Sequence, residues 1–242
     1  MDNNITPISI DAHFQFQCTS DVPCFNACCR DLNQFLTPYD ILRLKTHLGL
    51  RSGEFIEKCT TQHIGPETGL PVLTLSPVRN AELQCPFVTP TGCRVYADRP
   101  SSCRIYPIAR AVSRNRKTGI VSEHFALIRE PHCLGFQQSQ TQTVRQWLKN
   151  QTLDAYNQLN DLFLEIISLK NRCRPGPLDL RSKLVFHIAL YDVDSFREQI
   201  FRKGLVDDLN LDPELLAVLK TDELELLKFG HRYVKAQIFG EK

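Results

Sequence analysis

Cysteine is the residue type best placed to do chemistry in this sequence, and its distribution is uneven. Cys18, Cys24, Cys28 and Cys29, four of the ten cysteines, fall between residues 18 and 29. Cys85, Cys93 and Cys103 form a second set, and Cys133 is an eighth candidate. Thiolates bind zinc and iron–sulfur clusters strongly, and ligands near one another in sequence close a chelate at small entropic cost. The competing chemistry is a disulfide knot. Neighbouring Cys28 and Cys29 would need a strained bridge, and a chain of 242 residues buries enough core to need no staples. All eight are therefore candidate metal ligands, serving either two four-ligand centres or one centre with spare or substrate-facing thiols. Adjacent side chains diverge in helix and strand, so Cys28 and Cys29 are expected to face different ways. Cys59 is expected in a core and Cys173, beside a Pro-Gly-Pro break, as an incidental thiol.

Charge around the second set points the same way. Between Arg94 and Lys117 stand Arg94, Arg99, Arg104, Arg110, Arg114, Arg116 and Lys117 against Asp98 alone. A tetrathiolate zinc site or an oxidised four-iron cluster is anionic, so Arg99 and Arg104, flanking Cys103, are expected to hold the cofactor by charge and hydrogen bonds to sulfur. Arg114, Arg116 and Lys117 read as a solvated basic loop. Ligand softness favours iron–sulfur, in the form [4Fe-4S], with structural zinc in a non-catalytic interaction module as the alternative.

Other functions find little support. A net charge of +2 does not describe a general polyanion binder, and only Tyr96 and Tyr106 interleave the basic stretch, so nucleic acid is not an expected partner. There is no phosphate loop, nucleophile elbow or His-Glu-x-x-His. His124 and His132 are expected in ordinary surface or core roles, and Asp192 and Asp194 as a solvated helix start. No catalytic residue is assigned. The opening residues lack a secretory pattern, and no apolar run reaches the ~18 residues of a membrane span. A cytoplasmic protein is expected, not bound to a membrane, with a protein substrate or a redox partner. Oligomeric state is not readable.

The elements that must carry these residues suggest an α+β fold. Residues 1–138 are expected to form an irregular cysteine-rich metal-binding domain of short strands and helices, and 139–242 a helical region packed on it. Phe14-Gln15-Phe16 alternates as a strand leading to Cys18. Thr37-Pro38 opens a helix that Gly49 ends, and a second helix starts at Ser52. Val72–Leu75 and His124–Ile128 read as strands. The 3.6-residue rhythm from Val144 to Leu169 predicts one long amphipathic helix. Further helices are expected around 184–189, from a Ser195 cap, from Asp212-Pro213 and from a cap at Thr221-Asp222.

Several of these stretches occur together in a known family. Phe16-Gln17-Cys18, Cys24-x3-Cys28-Cys29, Leu36-Thr37, Cys85-Pro86-Phe87, Cys93-Arg94-Val95-Tyr96 and Arg99-Pro100-x2-Cys103-Arg104-x-Tyr106-Pro107 resemble the YkgJ-type cysteine-cluster proteins across roughly residues 14–136. These are described as zinc- or iron-chelating domains and include flagellin lysine N-methylases. The resemblance implies a metal or iron–sulfur site. Through the methylase branch it also implies S-adenosylmethionine and protein methylation. The spacing Cys18-x5-Cys24 is longer than the two-residue gap common in the family.

Overall fold

The computed structural model of the chain describes residues 4–31, 33–78, 82–114, 118 and 120–241. The fold is α+β, with short antiparallel sheets and a helical C-terminal region. Contacts divide it into two compact units, residues 1–32 with 77–157 and residues 33–76 with 158–242. The sequence suggested one boundary near 138. Instead residues 33–76 leave the cysteine region and fold with the later helices, to which long-range bonds tie them. The buried Tyr191 hydroxyl donates to Pro71 O at 3.2 Å, and Ser52 Oγ bonds Asp192 Oδ1 at 2.6 Å.

In the first unit, strand Ile5–Ile8 pairs with Val121–Ile128, which pairs with Ile108–Arg114. Ile108, Phe125 and Leu127 are buried. A second ladder sets Phe14 opposite Gln142, in strands His13–Gln15 and Thr141–Thr143. Just past it Phe16, 1% exposed, sits edge-on to Phe136, Trp147 and Tyr106 at centroid distances of 5.1, 5.5 and 6.0 Å. Rings in such arrangements add to their burial energy about 0.5–1.5 kcal/mol per pair. The cluster therefore pins together the segments bearing Cys18, Cys103 and Cys133.

The expected long helix is two helices, Val144–Asn150 and Asp154–Cys173. Thr152 takes a left-handed φ of 51° between them. Arg104 holds the break by donating to Gln151 O and to Thr152 Oγ1, both at 2.8 Å. Periodicity survives such a break, because the apolar residues still face one side of each helix.

In the second unit, Thr37 and Asp40 form the capping box of helix Pro38–His47, and Gly49, with φ of 64°, follows its end. Helix Ser52–Cys59 runs into strand Thr60–Ile64, which pairs with Pro71–Leu75; Phe35–Leu36 pairs with the other edge. Helices Leu180–Leu190, Val193–Lys203, Pro213–Thr221 and Glu223–Phe239 complete it. The first and last cross closely at Gly230, where the Ala189 carbonyl leaves no room for a Cβ. Three expectations are corrected. Asp192, not Ser195, caps Val193–Lys203, and Asp222 alone caps Glu223–Phe239, since each carboxylate reaches the free N–H groups of the first turn. Asp194 is not solvated: it lies 3.4 Å from buried Lys45 and accepts the Ser52 N–H at 2.8 Å.

Candidate metal centre

Eight of the ten cysteines belong to the first unit; Cys59 and Cys173 belong to the second. Their positions follow from local structure. The core residue Phe16 stands two before Cys18, and Gln17 N–H donates to Gly135 O at 3.1 Å, drawing Cys18 towards the segment after Cys133. Asn26 turns the chain with φ of 67° into the 3-10 turn Ala27–Cys29, and its side chain donates to Thr89 O at 2.9 Å. Cys85 N–H donates to Cys29 O at 2.8 Å. Buried Phe87 and Val95 seat the hairpin Val88–Thr89/Gly92–Cys93. Gly92 serves its turn with φ of 125°, where a Cβ would lie 3.3 Å from the Phe25 ring. The short helix Ser101–Ile105 carries Cys103, and Cys133 precedes the turn Leu134–Gln137. Cys18, Cys28 and Cys103 are exposed, the other five half-buried.

The thiols feel one another. Burial, then the neighbouring Cys28, Cys24 and Cys133, push Cys18 up to about 11. Cys29 donates a hydrogen bond to Cys28, which holds Cys28 down at about 7 and Cys29 far above the thiol range. The vicinal thiols of the 3-10 turn Ala27–Cys29 therefore influence one another directly. Burial raises Cys85 and Cys93, opposed by N–H groups of Phe87 and Val88 aimed at Cys85 and of Val95 aimed at Cys93. Leu134 N–H donates to Cys24 Sγ at 3.1 Å. Amide donors of this kind stabilise thiolate over thiol and so favour a metal-loaded state.

Arg99 is 9% exposed and stacks 3.9 Å from the Tyr96 ring centroid, with hydrogen bonds to Tyr96 O at 2.6 Å and to Gln151 Oε1. Burial lowers its pKa, opposed by Tyr96, Cys103 and Cys93 nearby. It is placed to offset charge on those sulfurs. Arg104 directs its donors to Ala97 O, Gln151 O and Thr152 Oγ1 and lies 4.7 Å from the Tyr156 ring centroid, which makes it a brace for the loops around the cysteines. Arg116 and Lys117 lie outside the described residues, as does the Arg114 side chain. His124 Nε2 is 3.0 Å from Ser113 Oγ, and His132 Nε2 is 3.5 Å from Glu130.

Sequence reasoning missed Glu130 and Tyr106. Burial, then Cys133 and Glu130 nearby, raises the Tyr106 hydroxyl, which has no well-formed hydrogen bond. The Arg104-x-Tyr106-Pro107 motif was the available signal for the tyrosine. Glu130 carries no pattern of its own.

Among the described residues, no three His, Cys, Asp or Glu side chains already surround a common metal position. The thiols are gathered rather than set at ligand spacing. As a donor set they fit zinc or an iron–sulfur cluster: soft sulfur, amide N–H groups directed at it and a buried arginine beside it. Metal binding then needs loop closure and releases thiol protons. No helix among the described residues is long and apolar enough to cross a membrane.

A family described as CxxCxxCC, "Putative zinc- or iron-chelating domain", matches residues 17–134. That span contains all eight cysteines of the first unit. No match was found among curated proteins or among solved structures.

Proposed function

We propose that the chain, whose residues 17–134 match this family of zinc- or iron-chelating domains, binds an iron–sulfur cofactor of the [4Fe-4S] type in its first unit. The observation that carries the reading is the gathering of eight thiols with amide donors at Cys24, Cys85 and Cys93 and with Arg99 among them. Its ligands are drawn from Cys18, Cys24, Cys28, Cys29, Cys85, Cys93, Cys103 and Cys133. Arg99 offsets its charge, and Arg104 keeps the surrounding loops in place. When bound, such a cofactor supplies one-electron transfer or, at an iron without a cysteine ligand, a binding position for S-adenosylmethionine. The partner is a redox protein in the first case and a protein to be methylated in the second.

Structural zinc is the second reading. The amide-to-sulfur bonds at Cys85 and Cys93 suit a zinc thiolate equally well, and thiols on several loops allow one ion to brace them. Purifying the full chain anaerobically and quantifying iron, acid-labile sulfide and zinc separates the two. Iron with matching sulfide is expected. Stoichiometric zinc without sulfide, with failed reconstitution by iron, replaces the cluster with the zinc module.

A further inference from the structure

The second unit carries a charged cavity that metal binding leaves unused. About 440 Å³ in volume, it opens between the start of helix Ser52–Cys59, one face of helix Val193–Lys203 and the end of helix Pro213–Thr221. Four cations line it, Arg51, Arg197, Arg202 and Lys220, against two carboxylates, Asp194 and Glu198. Helical spacing explains the convergence, because residues 194, 197, 198, 201 and 202 fall at i, i+3, i+4, i+7 and i+8, which is one face. Both carboxylates are already committed. Glu198 lies 2.5 Å from Arg51, and Asp194 accepts from Ser52 N–H at 2.8 Å and lies 3.4 Å from both Lys45 and Arg197. Arg197 also lies 3.4 Å from Glu223, and its Nε is buried with no hydrogen-bond partner. Arg202 and Lys220 are exposed and, among the described residues, make no hydrogen bond or ion pair. A cation in the last turn of a helix offsets the dipole there, and each of these two does so. The dipoles do not account for their meeting Arg51 and Arg197 around one cavity, beside the exposed ring of Phe201.

We propose that this cavity binds a small phosphate monoester, its dianionic phosphate held by Arg202 and Lys220 and its organic part laid against Phe201. Two unanswered positive charges match a phosphate dianion, and a guanidinium presents paired N–H donors to two phosphate oxygens. Arg51 and Arg197, held in place by their carboxylates, add positive potential. The volume falls within the roughly 300–1,000 Å³ of small-ligand sites and far exceeds that of a bare phosphate, which leaves room for an organic substituent. Phe201 and the aliphatic stems of the cations give that substituent an apolar wall. None of these residues belongs to the first unit, so the site stands whatever metal the cysteines hold.

Isothermal titration of the full chain with phenyl phosphate at about pH 8, where the phosphate is a dianion, tests the site. Wild type should bind this probe with a Kd below about 1 mM and more tightly than inorganic phosphate, while phenol, a ring without charge, should not bind in that range. Arg202→Gln/Lys220→Gln should weaken phenyl phosphate at least about tenfold, through the loss of hydrogen bonds to a charged group. Phe201→Ala should bring phenyl phosphate down to the affinity of inorganic phosphate. Lys149→Gln/Arg172→Gln removes the same charge from exposed positions outside the cavity and should bind as wild type does. Circular dichroism monitors the fold, and the Arg202→Gln and Lys220→Gln singles, each weakening the probe, replace a double that does not fold. The proposal falls if wild type does not bind phenyl phosphate in that range, if phenol binds as tightly, or if the cavity double or both singles bind it as wild type does. It falls too if the control double weakens binding equally, if Phe201→Ala still prefers phenyl phosphate to inorganic phosphate, or if neither the double nor the singles fold, because the two cations would then be structural.

Discussion

Gly135→Ala tests how the aromatic core positions the cysteines. A Cβ at residue 135 would lie 2.5 Å from Phe16 Cε2 and 2.9 Å from Gln17 O. Neither neighbour can move cheaply. Phe16 is 1% exposed and wedged among Tyr106, Phe136 and Trp147, and Gln17 is held to residue 135 by a 3.1 Å backbone bond. The backbone at residue 135 is not in the left-handed region, so the penalty is steric and not conformational. Overpacking of this kind costs about 1–3 kcal/mol. For a chain of 242 residues, that lowers the midpoint by roughly 2–4 °C per kcal/mol. The strain falls between Cys18 and Cys133, so metal retention should drop too. Gly176→Ala is the control: a Cβ there meets nothing within 4 Å, so stability should be unchanged or rise by about 0.4–1 kcal/mol. Thermal melts with parallel metal analysis read both. A Gly135→Ala protein that melts with wild type and keeps all its metal would refute the claim that the ring cluster sets the site.

Other expectations follow from the same structure. Arg99→Ala should reduce metal retention or shift a cluster's potential while changing the melt little, whereas Arg104→Ala should chiefly lower the melt; a reversed pattern in potentiometry and calorimetry would overturn these roles. Burial, with a smaller effect from Lys235, lowers His231 to about 4 from an ordinary 6.5, and its Nε2 is buried without a partner. The unfolded chain takes up this proton first. Stability from His231 is therefore complete above pH 6.5 and falls towards pH 4 by roughly 3 kcal/mol. Urea titrations across that range should show the fall, and an equal fall in His231→Gln would exclude the group. Asp194→Ala leaves Lys45 with Glu223 and strips an acceptor from the Ser52 N–H, costing roughly 3 kcal/mol. The double with Lys45→Met should lose less than the sum of the singles; strict additivity in equilibrium unfolding would show the two do not interact.

Local chemistry was the legible part. The caps at Thr37 and Asp212 could be read because the side chain and the N–H groups it satisfies lie within three residues. The strand before Cys18 and the helix from Ser52 followed from period and punctuation. What escaped depends on distant partners. The break at Thr152 is held by Arg104, which sequence charge alone had assigned to the sulfurs. Asp192 and Asp194 look like an ordinary acidic helix start, and only the arrival of Ser52 and Lys45 makes them interior groups. The discontinuous second unit is invisible for the same reason. In the site, clustered cysteines announced a metal from their type and spacing. The contact between Cys28 and Cys29 did not, because it depends on a 3-10 turn entered through the left-handed Asn26.

The central claim is that these thiols hold iron through sulfur, and X-ray absorption at the iron and zinc edges of the anaerobically isolated full chain tests it most directly. The account predicts iron in an all-sulfur shell, with a short iron–iron scattering path that only a cluster produces. Zinc in an all-sulfur shell with no iron would contradict the cluster. Any metal held mainly by nitrogen or oxygen would contradict the assignment of the cysteines themselves.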